Sequence, residues 1–322
     1  MSATSTAETP SPSGEEGRPR APWPGSLEAA GSVPLFVRRA PGTSPDAEPA
    51  VLVHGLGGSA TNWTDLMALL QDRLDSAAPD LPGFGWSPPP ADHDYRLSVH
   101  ARAVVDFLEA DGRAPVHLFG NSLGGSVATL VAAARPDLVR TLTLISPALP
   151  VMLPRATNAH LPVLAAPWIG QRFAARLDRY PVEGRVRATI ALCFGDPARV
   201  APERFAEAVE EASRRARLGH ESEAMLASLR SLIGIYLRRR GAWLWDAAAA
   251  VQAPTLLVYG LRDKLVDPRS SGRATRTFPT NRLLVIPDSG HVAMMEHPEE
   301  VAAAVRRHLD SARPTAASRT RR

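Results

Sequence analysis

A serine in the middle of the chain stands in a pattern that suits nucleophilic chemistry. Residues 116–125 read Val-His-Leu-Phe-Gly-Asn-Ser-Leu-Gly-Gly, a short apolar run that leads into Gly-x-Ser-x-Gly. This pattern is typical of a strand that turns sharply into a helix and leaves the serine hydroxyl exposed at the turn. Gly120 and Gly124 stand where side chains would collide with the turn or with a neighbouring strand. The sequence therefore makes Ser122 a candidate nucleophile.

A serine hydroxyl is a weak nucleophile, so it needs a histidine base and a carboxylate that orients this base. Two late segments of the chain offer them. The apolar run 255–259 is followed by Gly-Leu-Arg and Asp263, and the run 283–286 is followed by Pro-Asp-Ser-Gly and His291. Both residues come just past the end of a predicted strand, so we expect them at the carboxyl edge of the sheet. Asp267, four residues after Asp263, is the alternative acid.

Acyl transfer also needs main-chain donors for the oxyanion. The first predicted donor is the N–H of Leu123, because this residue begins the helix after Ser122. The second is the N–H of Leu56, because glycines on both sides let its loop approach the serine closely. His54, at the end of the preceding strand, is the alternative base. The chain contains neither a His-Glu-x-x-His zinc pattern nor a glycine-rich phosphate loop, so we expect no metal and no cofactor.

Strand-like and helix-like segments alternate along much of the chain, which predicts a mostly parallel sheet with helices on both faces. The alternation stops after residue 147, where prolines and long helical segments follow up to about residue 250. We interpret this stretch as a helical cap that is inserted after the sixth strand. The predicted organisation is a disordered N-terminal segment (1–30), a core (31–147 and 251–310), a cap (148–250) and a disordered basic tail (311–322).

Taken together, these motifs resemble the α/β-hydrolase superfamily over about residues 33–309. The motifs are His-Gly-Leu-Gly-Gly at 54–58, Asp-Leu-Pro-Gly-Phe-Gly-Trp-Ser at 80–87, the serine turn, Gly-Leu-Arg-Asp at 260–263 and Ser-Gly-His at 289–291. The resemblance implies the α/β-hydrolase fold and a catalytic triad in the chain order Ser122, Asp263, His291. It also implies that His54 is structural. Because the nucleophile is a serine, the sequence does not fit the epoxide-hydrolase and haloalkane-dehalogenase branches, which use a carboxylate.

The resemblance implies an enzyme similar to carboxylesterases and lipases, which cleaves esters or thioesters of apolar acyl or aromatic substrates through an acyl-enzyme. In the cap, Trp168, Phe194 and Trp243 are candidate substrate contacts, although each could instead pack inside the cap. Gly-Asn-Ser at 120–122 also resembles the meta-cleavage hydrolases, which split C–C bonds. The sequence further leaves open a haloperoxidase-like or acyl-transfer activity and a ligand receptor without turnover.

Composition narrows the class of partner. The chain has 322 residues, a net charge of +4 and a pI near 9.8, and its basic runs are short and not interleaved with aromatics. We therefore expect no nucleic-acid binding. No apolar run approaches the ~20 residues that span a bilayer, which argues against stable membrane insertion.

The single cysteine, Cys193, is interpreted as a buried apolar side chain. We expect a cytoplasmic protein that acts on a small molecule, and the oligomeric state stays open.

Overall fold

The computed structural model describes residues 20–31, 33–150, 165–166, 168–177, 179–237 and 242–312. Most of the two segments that were predicted to be disordered lies outside these residues. The described strands form one sheet of eight in the order β1-β2-β4-β3-β5-β6-β7-β8. They are β1 Gly25–Glu28, β2 Leu35–Ala40, β3 Glu48–Val53, β4 Leu74–Pro79, β5 Val116–Asn121, β6 Val139–Ile145, β7 Thr255–Gly260 and β8 Asn281–Ile286.

The sheet is mostly parallel, as predicted. Strands β4, β3, β5, β6, β7 and β8 pair in parallel, whereas β2 pairs antiparallel with β1 and with β4. Two strands were not predicted. β1 falls within residues 1–30, which were expected to be disordered, and its place in the sheet depends on pairing with β2. β4 has the sequence Leu-Asp-Ser-Ala-Ala-Pro, which lacks the β-branched and aromatic residues that favour strands.

Helices cover both faces of the sheet, which confirms the predicted layers. The described helices are α1 Thr64–Leu69, α2 Leu97–Asp111, α3 Leu123–Ala134, α4 Ile169–Leu177, α5 Val182–Cys193, α6 Pro202–Ala216, α7 Glu221–Leu237, α8 Ala242–Ala250, α9 Ser271–Thr277, α10 Ala293–Glu296 and α11 Pro298–Ala312. One core cluster holds buried side chains of α2, α3 and α8, and the other holds those of α1, α10 and α11. The apolar spacing of Trp63, Leu66, Leu69 and Leu70 predicts a helix over 62–74, but the structure has a 3-10 turn, Ala60–Trp63, followed by the short helix α1.

Among the described residues, five helices, α4 to α8, lie between β6 and β7 in the chain. Helix α8 packs on α3, α7 contacts α2 and α4, and α5 packs on α6. The long interruption that the sequence indicated is therefore helical in the part that the structure describes. Its designation as a cap stays a prediction.

Candidate active site

Ser122 lies at the turn between β5 and α3, with φ 53° and ψ −117°. This left-handed backbone region is costly for a residue with a side chain and is found mainly where the surroundings enforce it. At Ser122 the close packing of the turn enforces this conformation. A Cβ at Gly120 would meet the carbonyl oxygen of Gly124, and a Cβ at Gly124 would meet the carbonyl oxygen of Val53. The Ser122 N–H donates to the carbonyl of Ile145 at 3.1 Å. The turn is therefore fixed to both neighbouring strands, and its serine is only partly buried.

His291 and Asp263 are buried and directly hydrogen-bonded, with 2.8 Å between His291 Nδ1 and Asp263 Oδ2. The other carboxylate oxygen, Oδ1, accepts the main-chain N–H groups of Leu265 and Val266 at 2.8 and 2.9 Å. Since an ionised carboxylate only accepts, Nδ1 donates, and in the neutral form of this ring Nε2 carries the lone pair that a base requires. Asp267, the alternative acid, instead pairs with Arg269 at 2.6 Å.

Asn121 connects the serine turn to the histidine. Its Nδ2 donates to the carbonyl of Ile145 at 3.0 Å and to the carbonyl of His291 at 3.1 Å. Because β5 ends at Asn121 and the loop after β8 carries His291, the carboxyl ends of these strands meet at one edge of the sheet. Sequence reasoning did not assign this role to Asn121. In the sequence, the only indication was that Asn121 directly precedes the serine, as the first x of Gly-x-Ser-x-Gly.

The loop that holds Leu56 approaches the serine turn closely. A Cβ at Gly55 would lie 2.9 Å from Asn121 Oδ1 and 3.1 Å from Ser122 Cβ. Leu56 follows directly, and Leu123 is the first residue of α3, where leading N–H groups have no partner within the helix. Both predicted oxyanion donors are thus in segments beside Ser122.

Two buried titratable residues support this loop. His54 Nε2 accepts the N–H of Leu81 at 2.9 Å and its Nδ1 donates to the carbonyl of Gly55 at 2.7 Å, so the ring is neutral. Burial lowers the pKa of His54 to about 4. Asp80 accepts the N–H groups of Ala60 and Trp86 at 2.6 and 2.8 Å, and burial raises its pKa to about 6. Both side chains have structural partners, which agrees with the interpretation of His54 as structural.

The three predicted substrate contacts lie in different environments. Trp168 is 76% exposed and Trp243 39% exposed, whereas Phe194 is 5% exposed and belongs to the core cluster of α1, α10 and α11. Their role in binding stays a prediction. Cys193 is partly buried, and burial raises the pKa of its thiol to about 12, so it carries no thiolate at neutral pH.

A small apolar cluster, which sequence reasoning missed, lies beside Leu56. It consists of Ala165, Leu229 and Ile233, with Leu56 and Tyr236 packed against it. Leu229 and Ile233 are four residues apart and so share one face of α7. This spacing is the feature of the sequence that could have predicted the cluster. Because Leu56 is in the loop beside Ser122, this cluster places buried apolar side chains against that loop.

The described residues hold neither a metal-binding cluster nor a membrane-spanning helix. In the ranges given above, no group of three or more His, Cys, Asp and Glu side chains is placed to hold a metal ion. None of the helices in those ranges is long and apolar enough to cross a membrane.

Comparison with known proteins places this geometry in a family. The sequence model of the α/β-hydrolase fold family matches residues 49–298 of this chain. Lipase 1 of Psychrobacter immobilis is 27% identical over 262 residues, covering 79% of this chain and 74% of the lipase. The 2-hydroxy-6-oxononadienedioate/2-hydroxy-6-oxononatrienedioate hydrolase 2 of Pseudomonas putida is also 27% identical over 258 residues, covering 79% of this chain and 84% of that enzyme. The solved 2-hydroxy-6-oxo-6-phenylhexa-2,4-dienoate hydrolase of a Rhodococcus species superposes with a TM-score of 0.73 at 21% identity, covering 89% and 98% of the two chains. The chain belongs to the α/β-hydrolase family and is a hydrolase of that fold.

Proposed function

We propose that this hydrolase cleaves carboxylic esters, including thioesters, of apolar acyl or aromatic substrates through an acyl-enzyme on Ser122. The observation that carries the proposal is the strained serine turn, joined by Asn121 to the loop of the hydrogen-bonded His291–Asp263 pair. A nucleophile, a neutral base and an orienting carboxylate at one sheet edge are the groups that acyl transfer needs.

In the proposed mechanism, Ser122 Oγ attacks the carbonyl carbon and His291 Nε2 takes the hydroxyl proton. Asp263 stabilises the imidazolium through Nδ1, and the N–H groups of Leu56 and Leu123 hold the oxyanion, each contributing about 3 kcal/mol. The imidazolium then gives its proton to the departing alcohol or thiol. Water attacks the acyl-enzyme while His291 takes its proton, and that proton returns to Ser122 as the acid leaves.

The preference for apolar substrates is supported by the cluster beside Leu56. Leu229 and Ile233 are buried aliphatic side chains that pack with Leu56, in the loop whose N–H is proposed to hold the oxyanion. An acyl chain bound there would be removed from water, which stabilises the complex by about 0.8 kcal/mol for each buried CH₂. The similarity to the lipase of Psychrobacter immobilis agrees with such a substrate.

The test is hydrolysis of p-nitrophenyl esters from acetate to palmitate by the wild type and by Ser122→Ala. We expect turnover with a chain-length optimum in the wild type and a loss of at least about 10³-fold in the variant. A wild type that folds normally but hydrolyses no ester would contradict the proposal. Labelling by a fluorophosphonate distinguishes an activated serine from a ligand receptor without turnover, since a receptor would resist the probe.

A second candidate is C–C bond hydrolysis, because the meta-cleavage-type relative of Pseudomonas putida is as similar to this chain as the lipase is. The same serine, histidine and oxyanion donors would serve that reaction. Loss of the absorbance of a 2-hydroxy-6-oxohexa-2,4-dienoate substrate, with no ester turnover, would favour this candidate. Ester turnover without dienoate cleavage would exclude it.

A further inference from the structure

Glu296, the last residue of α10, places a buried carboxylate among main-chain donors. Its side chain is 4% exposed. Oε2 accepts the N–H of Gly290 at 2.7 Å and that of Gly195 at 3.1 Å, and Oε1 accepts the N–H of Asp196 at 2.7 Å. A carboxylate that accepts several N–H groups forms strong, charge-assisted hydrogen bonds. The carboxylate therefore joins two separate segments of the chain.

One of these segments carries the proposed base, since Gly290 immediately precedes His291. The other, residues 193–196, leaves helix α5 and belongs to the helices inserted between β6 and β7. The two segments are in direct backbone contact, because the His291 N–H donates to the carbonyl of Cys193 at 2.6 Å. A Cβ at Gly290 would meet that carbonyl, so no side chain fits between them.

The main chain around His291 is thus held from three directions. Its N–H is bound by Cys193, its carbonyl by Asn121, and the preceding N–H by Glu296. Removal of the Glu296 carboxylate would leave three N–H groups without this acceptor, of which that of Gly290 is buried and those of Gly195 and Asp196 are partly buried. An unsatisfied buried donor favours a local rearrangement, and the loop that ends at His291 carries one of these donors, the N–H of Gly290.

We propose that Glu296 is a positioning residue for His291: it fixes the histidine loop against the segment that leaves α5 and so keeps the imidazole aligned with Ser122. It does this through the main chain and has no contact with the substrate. The proposal rests on the function proposed above, since it assumes that His291 is the base. It also implies that a displacement of residues 193–196 displaces the base.

The kinetic test compares Glu296→Gln and Glu296→Ala with Glu299→Gln, a control at an exposed glutamate three residues further on. We expect kcat for a p-nitrophenyl ester, and the rate of fluorophosphonate labelling, to fall about 10- to 100-fold in Glu296→Ala with KM little changed. Glu296→Gln keeps one acceptor oxygen and should fall between the alanine variant and the wild type. Leu309→Ala, a core truncation in α11, controls for lost stability alone and should keep kcat.

Hydrogen exchange provides a measurement on the wild type that does not depend on any variant folding. The amides of Gly195, Asp196 and Gly290 should exchange slowly, and in Glu296→Gln the segments 193–196 and 288–291 should lose protection together. Rapid exchange of these amides in the wild type would overturn the proposal, as would a folded Glu296→Ala that is labelled at the wild-type rate. If the wild type itself resists the probe, the function proposed for Ser122 fails instead, so the two failures are distinguishable.

Discussion

Asp263→Asn is the sharpest test of the proposed triad. In the wild type, Oδ1 accepts two main-chain N–H groups and Oδ2 accepts His291 Nδ1 at 2.8 Å. An asparagine has only one acceptor oxygen, and the two N–H groups require it in place of Oδ1. The side-chain NH₂ must then face Nδ1, which has to become an acceptor. The imidazole proton therefore moves to Nε2, the atom that should take the proton from Ser122.

The magnitude follows from this change of tautomer. A base that presents N–H to the nucleophile cannot accept its proton, and the equivalent change in a serine protease lowers kcat about 10⁴-fold. That factor corresponds to about 5.4 kcal/mol of lost transition-state stabilisation. We expect a loss of this order in kcat for a p-nitrophenyl ester, with KM changed by less than about 3-fold, because the substitution leaves substrate contacts intact.

The control is Asp267→Asn, which changes the alternative acid four residues away. Asp267 pairs with Arg269 rather than with His291, so we expect kcat to stay within about 2-fold of the wild type. Circular dichroism and thermal unfolding would establish that both variants are folded. A folded Asp263→Asn enzyme with kcat within 10-fold of the wild type, or a larger loss in Asp267→Asn, would refute the assignment.

Two further predictions concern the acyl surface and the response to pH. Ile233 and Ile235 are both 7% exposed on α7, and Ile→Ala at either position should cost about 2–5 kcal/mol of stability. Only Ile233→Ala should move the ester optimum to longer chains, because Ile233 lies in the small cluster packed against Leu56, the proposed oxyanion donor, whereas Ile235 lies in the large cluster of α2, α3 and α8; an equal shift in both variants would disprove this role. Burial lowers the pKa of His54 and of His308 to about 4, so the unfolded chain binds more protons between about pH 4 and 6.5 and stability falls as pH decreases through that window. Burial lowers the pKa of His100 to about 3, which acts in the same direction. From pH 7 to 5, urea unfolding should show a loss of about 6 kcal/mol from these three histidines, offset by about 1 kcal/mol from Asp80, whose raised pKa acts in the opposite direction; unchanged stability would contradict it.

The serine turn could be predicted because its determinants are local. Gly120 and Gly124 indicate a backbone that passes very close to its neighbours, because a side chain at either position would collide with them. The apolar run before them and the helical run after them place the turn between a strand and a helix. The pairing of Asp263 with His291 could be predicted for a different reason. Both follow parallel strands that are adjacent in the sheet, and the ends of such strands must lie close together.

The features that were missed depend on contacts between distant parts of the chain. β4 is a strand because β2 and β3 pair with it on both sides, although its own residues do not favour a strand. The environments of Trp168 and Phe194 depend on which neighbours cover them, and composition carries no such information. Glu296 reads in the sequence as an ordinary acidic residue shortly before a proline. Its role becomes visible only when residues 195 and 196 are found beside it.

The described geometry divides the site into a part that depends on the main chain and a part that depends on side chains. The Ile145 carbonyl accepts from both Ser122 N–H and Asn121 Nδ2, and the proposed oxyanion donors act through N–H groups, so the identity of the side chains at Leu56 and Leu123 is not constrained by the chemistry. Residues on α7 can therefore change without disturbing the nucleophile. The same proposed catalytic groups could then act on different carbonyl substrates. This agrees with the equal sequence identity of this chain to a lipase and to a dienedioate hydrolase. Substrate choice should then follow the inserted helices, and exchange of α7 side chains should alter KM and chain-length preference while the rate of fluorophosphonate labelling stays constant.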